Sequence, residues 1–128
     1  MRVLLIEDDP SLCTFFSRAL KRAGYDVTIE HRGDLGLQSA QNFPPDLLVI
    51  DCFLPGLNGV RVLRELREQG FEAPILMLSG STDLVRDEAL EAGANAFLAK
   101  PCGLEDLTNC VAMLTSRSLV RDLFAQSA

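Results

Sequence analysis

Five short apolar runs, almost free of polar interruption, recur at regular intervals along the chain. They occupy residues 3–6, 27–29, 47–50, 75–78 and 96–99. Runs of this length and composition are typical of strands that are buried on both faces of a parallel sheet. In the polar segments between them, apolar residues recur every three or four positions, which predicts amphipathic helices. The pattern therefore predicts strands and helices in alternation.

Capping and breaking residues set the expected helix boundaries. The first helix is predicted to begin at Pro10, with Asp9 as its N-cap, and to end at Gly24. A weak second helix is predicted over residues 34–41, stopped by the Pro-Pro pair that begins at Pro44. The other helices are predicted over residues 60–69, from about residue 84 to Gly93 after a turn at Ser79–Thr82, and from Leu104 onward.

This alternation predicts an α/β fold: a doubly wound, five-stranded parallel sheet with helices on both faces, forming a three-layer sandwich. The length of 128 residues suits one domain with one core. A second small apolar set, Leu119, Val120 and Leu123, follows the last predicted helix. These residues would either extend that helix or begin a linker to another domain.

Composition and charge exclude some classes of function. The net charge is −6, from 12 basic and 18 acidic residues, which argues against nucleic-acid binding as the main task because phosphate backbones favour a basic face. Acidic balance is compatible with binding a metal cation. No apolar run approaches the roughly 20 residues that span a membrane, and the N-terminus turns acidic too early for a signal peptide. We therefore expect a cytoplasmic protein.

The residues that follow the strands are chemically distinctive. Glu7 and Asp8 follow the first strand, Asp51 the third, Ser79 the fourth and Lys100 the fifth. The carboxyl ends of parallel strands lie at one edge of a sheet, where open α/β proteins bind their ligands. Three acids, a hydroxyl and a lysine are thus expected to converge.

Each of these residues also has an ordinary structural explanation as a cap, a helix-dipole partner or a solvated charge. That explanation weakens for the set, because crowded carboxylates repel and raise one another's pKa unless a cation lies among them. A hard divalent cation with oxygen ligands, Mg²⁺ above all, relieves that repulsion. A lysine adds a point charge suited to a phosphoryl oxygen.

The cysteines and the one histidine do not form an evident metal site. The four cysteines are Cys13, Cys52, Cys102 and Cys110, with no C-x-x-C pair, so we expect free thiols in a reducing compartment. His31 follows the second strand and is expected to be a solvated loop residue away from the predicted cluster.

The chain resembles the receiver domains of response regulators over residues 2 to about 117. The motifs that carry the resemblance are IEDDP after the first strand, PDLLVIDCFLPGLNG around the third, LSG after the fourth and AKP after the fifth. The resemblance implies a flavodoxin-like sheet of order 2-1-3-4-5. It implies a receiver domain at residues 1–117 and a helix extension or linker at 118–128. It also implies that Asp51 accepts a phosphoryl group from a sensor histidine kinase or a phosphotransfer protein.

The resemblance also implies a Mg²⁺ site. Asp8 would bind the cation directly and Glu7 partly through water, while Asp51 would supply a further carboxylate oxygen. The backbone carbonyl of Phe53 would be another ligand. These assignments follow from the family's motifs, with every position filled by a compatible residue in this chain.

The same likeness implies how the signal would be passed on. Ser79 and Lys100 match the hydroxyl and the lysine that contact the phosphoryl group, and Phe97 matches the aromatic switch position. Phosphorylation would move Ser79 and Phe97, and so reshape the surface of the fourth helix, fifth strand and fifth helix. That surface would control an output domain or partner protein, and could form a homodimer on phosphorylation.

Three other functions stay open on the sequence. A phosphatase with an aspartyl nucleophile would favour a second acid two residues later, where this chain has Phe53. A dinucleotide-binding protein would need a glycine-rich loop after the first strand, which is not present here. A receiver-like interaction module that is never phosphorylated is opposed by the intact set of site residues. Beyond its own phosphorylation and slow dephosphorylation, we expect no enzymatic activity.

Overall fold

The computed structural model contains all five predicted strands and all five predicted helices. It describes the backbone of residues 1–80 and 83–127, with the side chains of 1–80 and 85–116. Ser81 and Thr82, which the sequence assigned to the turn after the fourth strand, lie outside the described residues. The elements are β1 (Arg2–Ile6), α1 (Pro10–Arg22), β2 (Asp26–Glu30), α2 (Gly33–Asn42), β3 (Leu47–Asp51), α3 (Gly59–Glu68), β4 (Ile75–Ser79), α4 (Asp83–Ala92), β5 (Ala96–Ala99) and α5 (Leu104–Ser127).

The five strands form one parallel sheet of order β2-β1-β3-β4-β5. This confirms the predicted fold class and strand order. The register aligns Ile6 of β1 with Ile50 of β3, and Asp51 with Leu78 of β4. Because neighbouring strands end within one residue of each other, the residues that follow them meet at a single edge.

The strands lack polar alternation because helices cover both faces of the sheet. Along each central strand, successive residues enter opposite core layers. The layer beneath α2, α3 and α4 contains Ile6, Leu48, Ile50, Ile75 and Met77, among others. The layer beneath α1 and α5 contains Val3, Leu5, Val49, Leu76 and Leu78, among others.

Helix termini follow the predicted capping. The Asp9 side chain accepts hydrogen bonds from the backbone N–H groups of Ser11 and Leu12, with Pro10 at the first helical position. Gly24, just beyond α1, has a φ of +98°, a conformation that glycine adopts without strain. Capping by Asp9 therefore fixes how the chain turns from β1 into α1.

The last helix runs as one element from Leu104 to Ser127. The backbone of residues 118–127 is thus helical, whereas the domain boundary at residue 117 stays a prediction. Within the described part of the chain, no helix is both long and apolar enough to cross a membrane.

The turn after β3 depends on a close backbone approach. The N–H of Gly59 donates to the carbonyl of Cys52 at 2.8 Å, and a Cβ at Gly59 would lie 2.1 Å from the carbonyl oxygen of Asp51. Only glycine fits there without a shift of the backbone. The turn is therefore packed tightly against the start of α3, and this fixes the backbone from which the Asp51 side chain projects.

Candidate functional site

The acidic site lies at the carboxyl edge of the sheet and consists of Glu7, Asp8, Asp51 and Lys100. A carboxylate oxygen from each of the three acids lies within 4.8 Å of one from each of the others. Glu7 and Asp51 are buried, with 1% and 6% of their surfaces exposed, whereas Asp8 is exposed. The geometry thus brings together four of the five side chains that the sequence predicted to converge, whereas the approach of the Ser79 hydroxyl to this group stays a prediction.

Lys100 connects the two buried acids. Its Nζ atom lies 2.8 Å from Oε2 of Glu7 and 3.3 Å from Oδ2 of Asp51. Its backbone N–H donates to the carbonyl of Ser79 at 2.8 Å, which anchors the root of the side chain to the end of β4. Burying a carboxylate without a partner costs much free energy, so the single ammonium group of Lys100 stabilises both acids at once.

The pKa values of the two buried acids are raised. For Glu7 the main cause is burial, and the negative charge of Asp51 adds to it, whereas the hydrogen bond from Lys100 lowers the pKa in part. For Asp51, burial again raises the pKa, and Lys100 opposes it. Burial alone would lower the pKa of Lys100, but its contacts with both acids raise it overall. The raised pKa values therefore reflect mainly the burial of the two carboxylates, which the contacts with Lys100 offset only in part.

The acidic site has the donor set that Mg²⁺ prefers, which is a group of carboxylate oxygens. Oε2 of Glu7 is buried and forms an ion pair with Nζ of Lys100. Apart from this ion pair, no described residue is a hydrogen-bond partner of Oε2. It therefore retains capacity to accept a further ligand. Exposed Asp8 leaves one side of the group open to solvent. These residues fit a divalent cation, while the ligand role of the Phe53 carbonyl stays a prediction.

The two predicted switch residues lie on neighbouring strands. Ser79 is fully buried at the end of β4, paired in register with Ala99 of β5. Phe97 is half-buried on β5, in register with Met77, and packs against the core layer beneath α2, α3 and α4. Their positions are compatible with the predicted coupling, and their roles stay predictions.

His31 does not lie away from the acidic site as the sequence suggested. Its ring is exposed, as expected, but its Nδ1 atom lies 3.0 Å from the backbone carbonyl oxygen of Glu7. The expectation was wrong because β2 is the neighbour of β1, and Glu30 is in register with Ile6. The predicted strand order could have shown that His31 lies near Glu7, because it places the residue after β2 beside the residue after β1.

The cysteines are free thiols, as predicted. Burial, with the nearby negative charge of Glu7, Asp9 and Asp8, raises the pKa of the Cys13 thiol to about 11. Burial and the charge of Asp51 likewise raise the pKa of Cys52 to about 11. Both thiols are therefore protonated at neutral pH, and neither has the thiolate character of a redox or metal-binding cysteine.

Comparison with known proteins gives consistent matches. A family model described as the response regulator receiver domain matches residues 3–112. The chain is 34% identical over 119 residues to the transcriptional regulatory protein TrcR of Mycobacterium tuberculosis, covering 92% of this chain and 46% of TrcR. It is 34% identical over 118 residues to the alkaline phosphatase synthesis transcriptional regulatory protein PhoP of Bacillus subtilis, covering 91% of this chain and 49% of PhoP. The chain thus spans about half the length of these curated relatives.

A solved structure with a similar fold is the receiver domain of the sensor histidine kinase PA1611 from Pseudomonas aeruginosa. The TM-score is 0.83 and the identity 32%, with 90% of this chain and 97% of that chain covered. In that protein a magnesium ion is coordinated in the active-site cleft.

The raised pKa of Asp51 predicts that Asp51→Asn stabilises the metal-free protein at neutral pH. A carboxyl group whose pKa is raised by folding destabilises the fold wherever it is ionised, and contributes no such penalty below its ordinary pKa near about 4. Lys100 keeps Glu7 as a partner in the variant. We expect the free energy of unfolding, from urea titration in EDTA at pH 7, to be higher in the variant than in the wild type.

The gain should shrink as the pH is lowered towards the ordinary carboxyl range, because Asp51 in the wild type then becomes protonated. Asp87→Asn, which changes an exposed carboxylate on α4, is the matched control and should have little effect. An Asp51→Asn variant that is less stable than the wild type at pH 7 would show that Lys100 fully compensates the buried charge.

Proposed function

Because the chain belongs to the family of response regulator receiver domains, we propose that its Asp51 accepts a phosphoryl group from a phosphohistidine of a sensor kinase or phosphotransfer protein. The observation that carries the proposal is the contact of Lys100 with both buried acids, Glu7 and Asp51. This arrangement holds a nucleophile, its counter-charge and further oxygen ligands at one edge of the sheet.

The chemistry needs little from the protein beyond position and charge. An oxygen of Asp51 forms a bond to phosphorus while the N–P bond breaks, and the electron pair of that bond stays on the departing imidazole nitrogen. Lys100, 3.3 Å from Asp51, favours the ionised carboxylate that the attack requires. After transfer, the Lys100 ammonium and the Ser79 hydroxyl would contact phosphoryl oxygens.

Mg²⁺ is the cofactor that we propose for this site. Asp8 and Asp51 would hold it directly, Glu7 partly through water, and the Phe53 backbone carbonyl would be a fourth protein group. When bound, Mg²⁺ neutralises charge on the transferred oxygens. The magnesium ion in the PA1611 receiver domain supports this assignment.

Phosphorylation would act as a population shift. A phosphoryl group with a charge near about −2 draws the Ser79 hydroxyl towards it. The space that Ser79 leaves would admit the ring of Phe97, which is half-buried. We define the output face as the outer surface of α4, β5 and α5, and its shape would change with the position of this ring. The phosphoryl group shifts the equilibrium only by its differential affinity for the two states.

The output face would control an effector domain or a separate protein in the cytoplasm, and could pair with a second copy after phosphorylation. Two relatives named as transcriptional regulatory proteins are about twice as long as the aligned chain, which supports an effector domain as the target. The other candidate is an interaction module that works without phosphorylation. The intact set of acids and Lys100 is an argument against it.

Intact mass spectrometry tests the proposed phosphoacceptor. After incubation with Mg²⁺ and acetyl phosphate, we expect a single phosphoryl adduct on the wild type and none on Asp51→Asn. Omission of Mg²⁺ should abolish or strongly reduce the adduct. Asp87→Asn, an exposed change on α4, is the control and should be modified like the wild type. A folded wild type that forms no adduct would favour the phosphorylation-independent module.

Phe97→Ala tests the proposed switch. Without the ring, phosphorylation should cause much smaller changes in the backbone amide chemical shifts of the output face, whereas Phe97→Tyr retains a ring and should respond like the wild type. Circular dichroism checks that both variants fold, because Phe97 also packs against the core. An Ala variant whose output face responds as the wild type does would contradict the coupling.

A further inference from the structure

We propose that His31 is a positioning residue for the acidic turn, residues 7–9, and that it acts through the backbone carbonyl of Glu7. In this role the imidazole Nδ1–H holds the peptide unit between Glu7 and Asp8 so that both carboxylates face the same cation. The inference rests on the Mg²⁺ site proposed above, and it assigns a role to the one histidine of the chain.

The carbonyl oxygen of Glu7 is held by two side chains. His31 Nδ1 lies 3.0 Å from it and Cys13 Sγ lies 3.1 Å from it, while these two atoms are 3.7 Å apart. On the other side of the residue, the backbone N–H of Glu7 donates to the carbonyl of Glu30 at 3.0 Å. Residue 7 is therefore fixed at both its N–H and its C=O group.

The contact with the Glu7 carbonyl is a hydrogen bond only in the tautomer that carries a proton on Nδ1. A carbonyl oxygen can only accept hydrogen bonds, so the Nδ1 atom that contacts it is the donor. The oxygen has two lone pairs, which allows it to accept from the protonated Cys13 thiol as well. When the ring is neutral, Nε2 is then the unprotonated nitrogen.

A fixed peptide at this point has a functional reason. β1 ends at Ile6 and the chain bends at Asp8, and within this bend the Glu7 and Asp8 carboxylates lie within 4.8 Å of each other and of Asp51. Bringing adjacent side chains to one cation requires a particular orientation of the peptide between them. Among the described residues, only His31 and Cys13 donate a side-chain hydrogen bond to this carbonyl.

The role of His31 is separable from packing. Its ring is exposed and is not part of either core layer, in contrast to buried Cys13. A substitution at residue 31 should therefore leave the fold intact and change the acidic turn. Such a change would be seen in Mg²⁺ affinity rather than in thermal stability.

The first test is the tautomer of the ring. Because the chain has one histidine, a long-range ¹H–¹⁵N correlation spectrum at a pH where the ring is neutral reports His31 alone. We expect a protonated Nδ1 and an unprotonated Nε2 in the metal-free protein. A spectrum with Nε2 protonated and Nδ1 unprotonated would overturn the inference.

The second test compares three substitutions that differ in one donor. His31→Asn can place an amide N–H where Nδ1–H lies, whereas His31→Gln places its amide near the position of Nε2, and His31→Ala has no donor. We expect the Mg²⁺ dissociation constant, from titration of backbone amide shifts, to rise by about three- to tenfold in the Ala and Gln variants, the effect of losing one such bond. The Asn variant should stay within about twofold of the wild type.

The outcomes separate this inference from the proposed function. A wild-type affinity in His31→Ala, or an Asn variant as weak as the Ala variant, would overturn the positioning role and leave the Mg²⁺ site standing. A wild type that binds no Mg²⁺ would overturn both. Rescue by Asn but not by Gln supports the Nδ1–H bond specifically, because a general loss of structure would not distinguish the two amides.

Discussion

The crowding of three carboxylates at one edge of the sheet, with a single lysine among them, is the constraint on which the rest of the structure depends. Glu7 and Asp51 are almost fully buried, and burial alone disfavours their charged forms. Lys100 contacts both but carries one charge for two, with exposed Asp8 close by. The site therefore contains three carboxylates and one lysine, an imbalance that a divalent cation or a change of protonation would relieve.

The crowded carboxylates and Lys100 can be held in these positions only by a rigid backbone. The sheet supplies it, because its central strands are buried on both faces and their carboxyl ends align in register. The turns that carry the acids are fixed as well. Asp9 caps α1 directly after the acidic turn, and Gly59 allows the turn after β3 to pack against the Asp51 backbone. Hydrophobic burial thus stabilises the fold, while the charged edge costs stability and provides the chemistry.

Much of this could be predicted from the sequence. Uninterrupted apolar runs located the strands to within one or two residues, and the residues that follow them located the acidic site, since parallel strands share a carboxyl edge. Contacts set by side-chain conformation could not be predicted. Nothing in the sequence indicates that Nζ of Lys100 lies closer to Oε2 of Glu7, at 2.8 Å, than to Oδ2 of Asp51, at 3.3 Å. The contact of His31 with Glu7 was missed for another reason. The two residues are far apart in the sequence and lie side by side because Glu30 of β2 is in register with Ile6 of β1.

The measurement that tests the central claim most directly is the thermal unfolding of the wild type in MgCl₂ and in NaCl of equal ionic strength. If the crowded carboxylates form a cation site, Mg²⁺ at ten times its dissociation constant should add about 1.4 kcal/mol to the free energy of unfolding, and raise the Tm by a few degrees. NaCl screens the charges but cannot bridge them, so it should give a clearly smaller rise. A Tm that responds equally to the two salts would contradict the account.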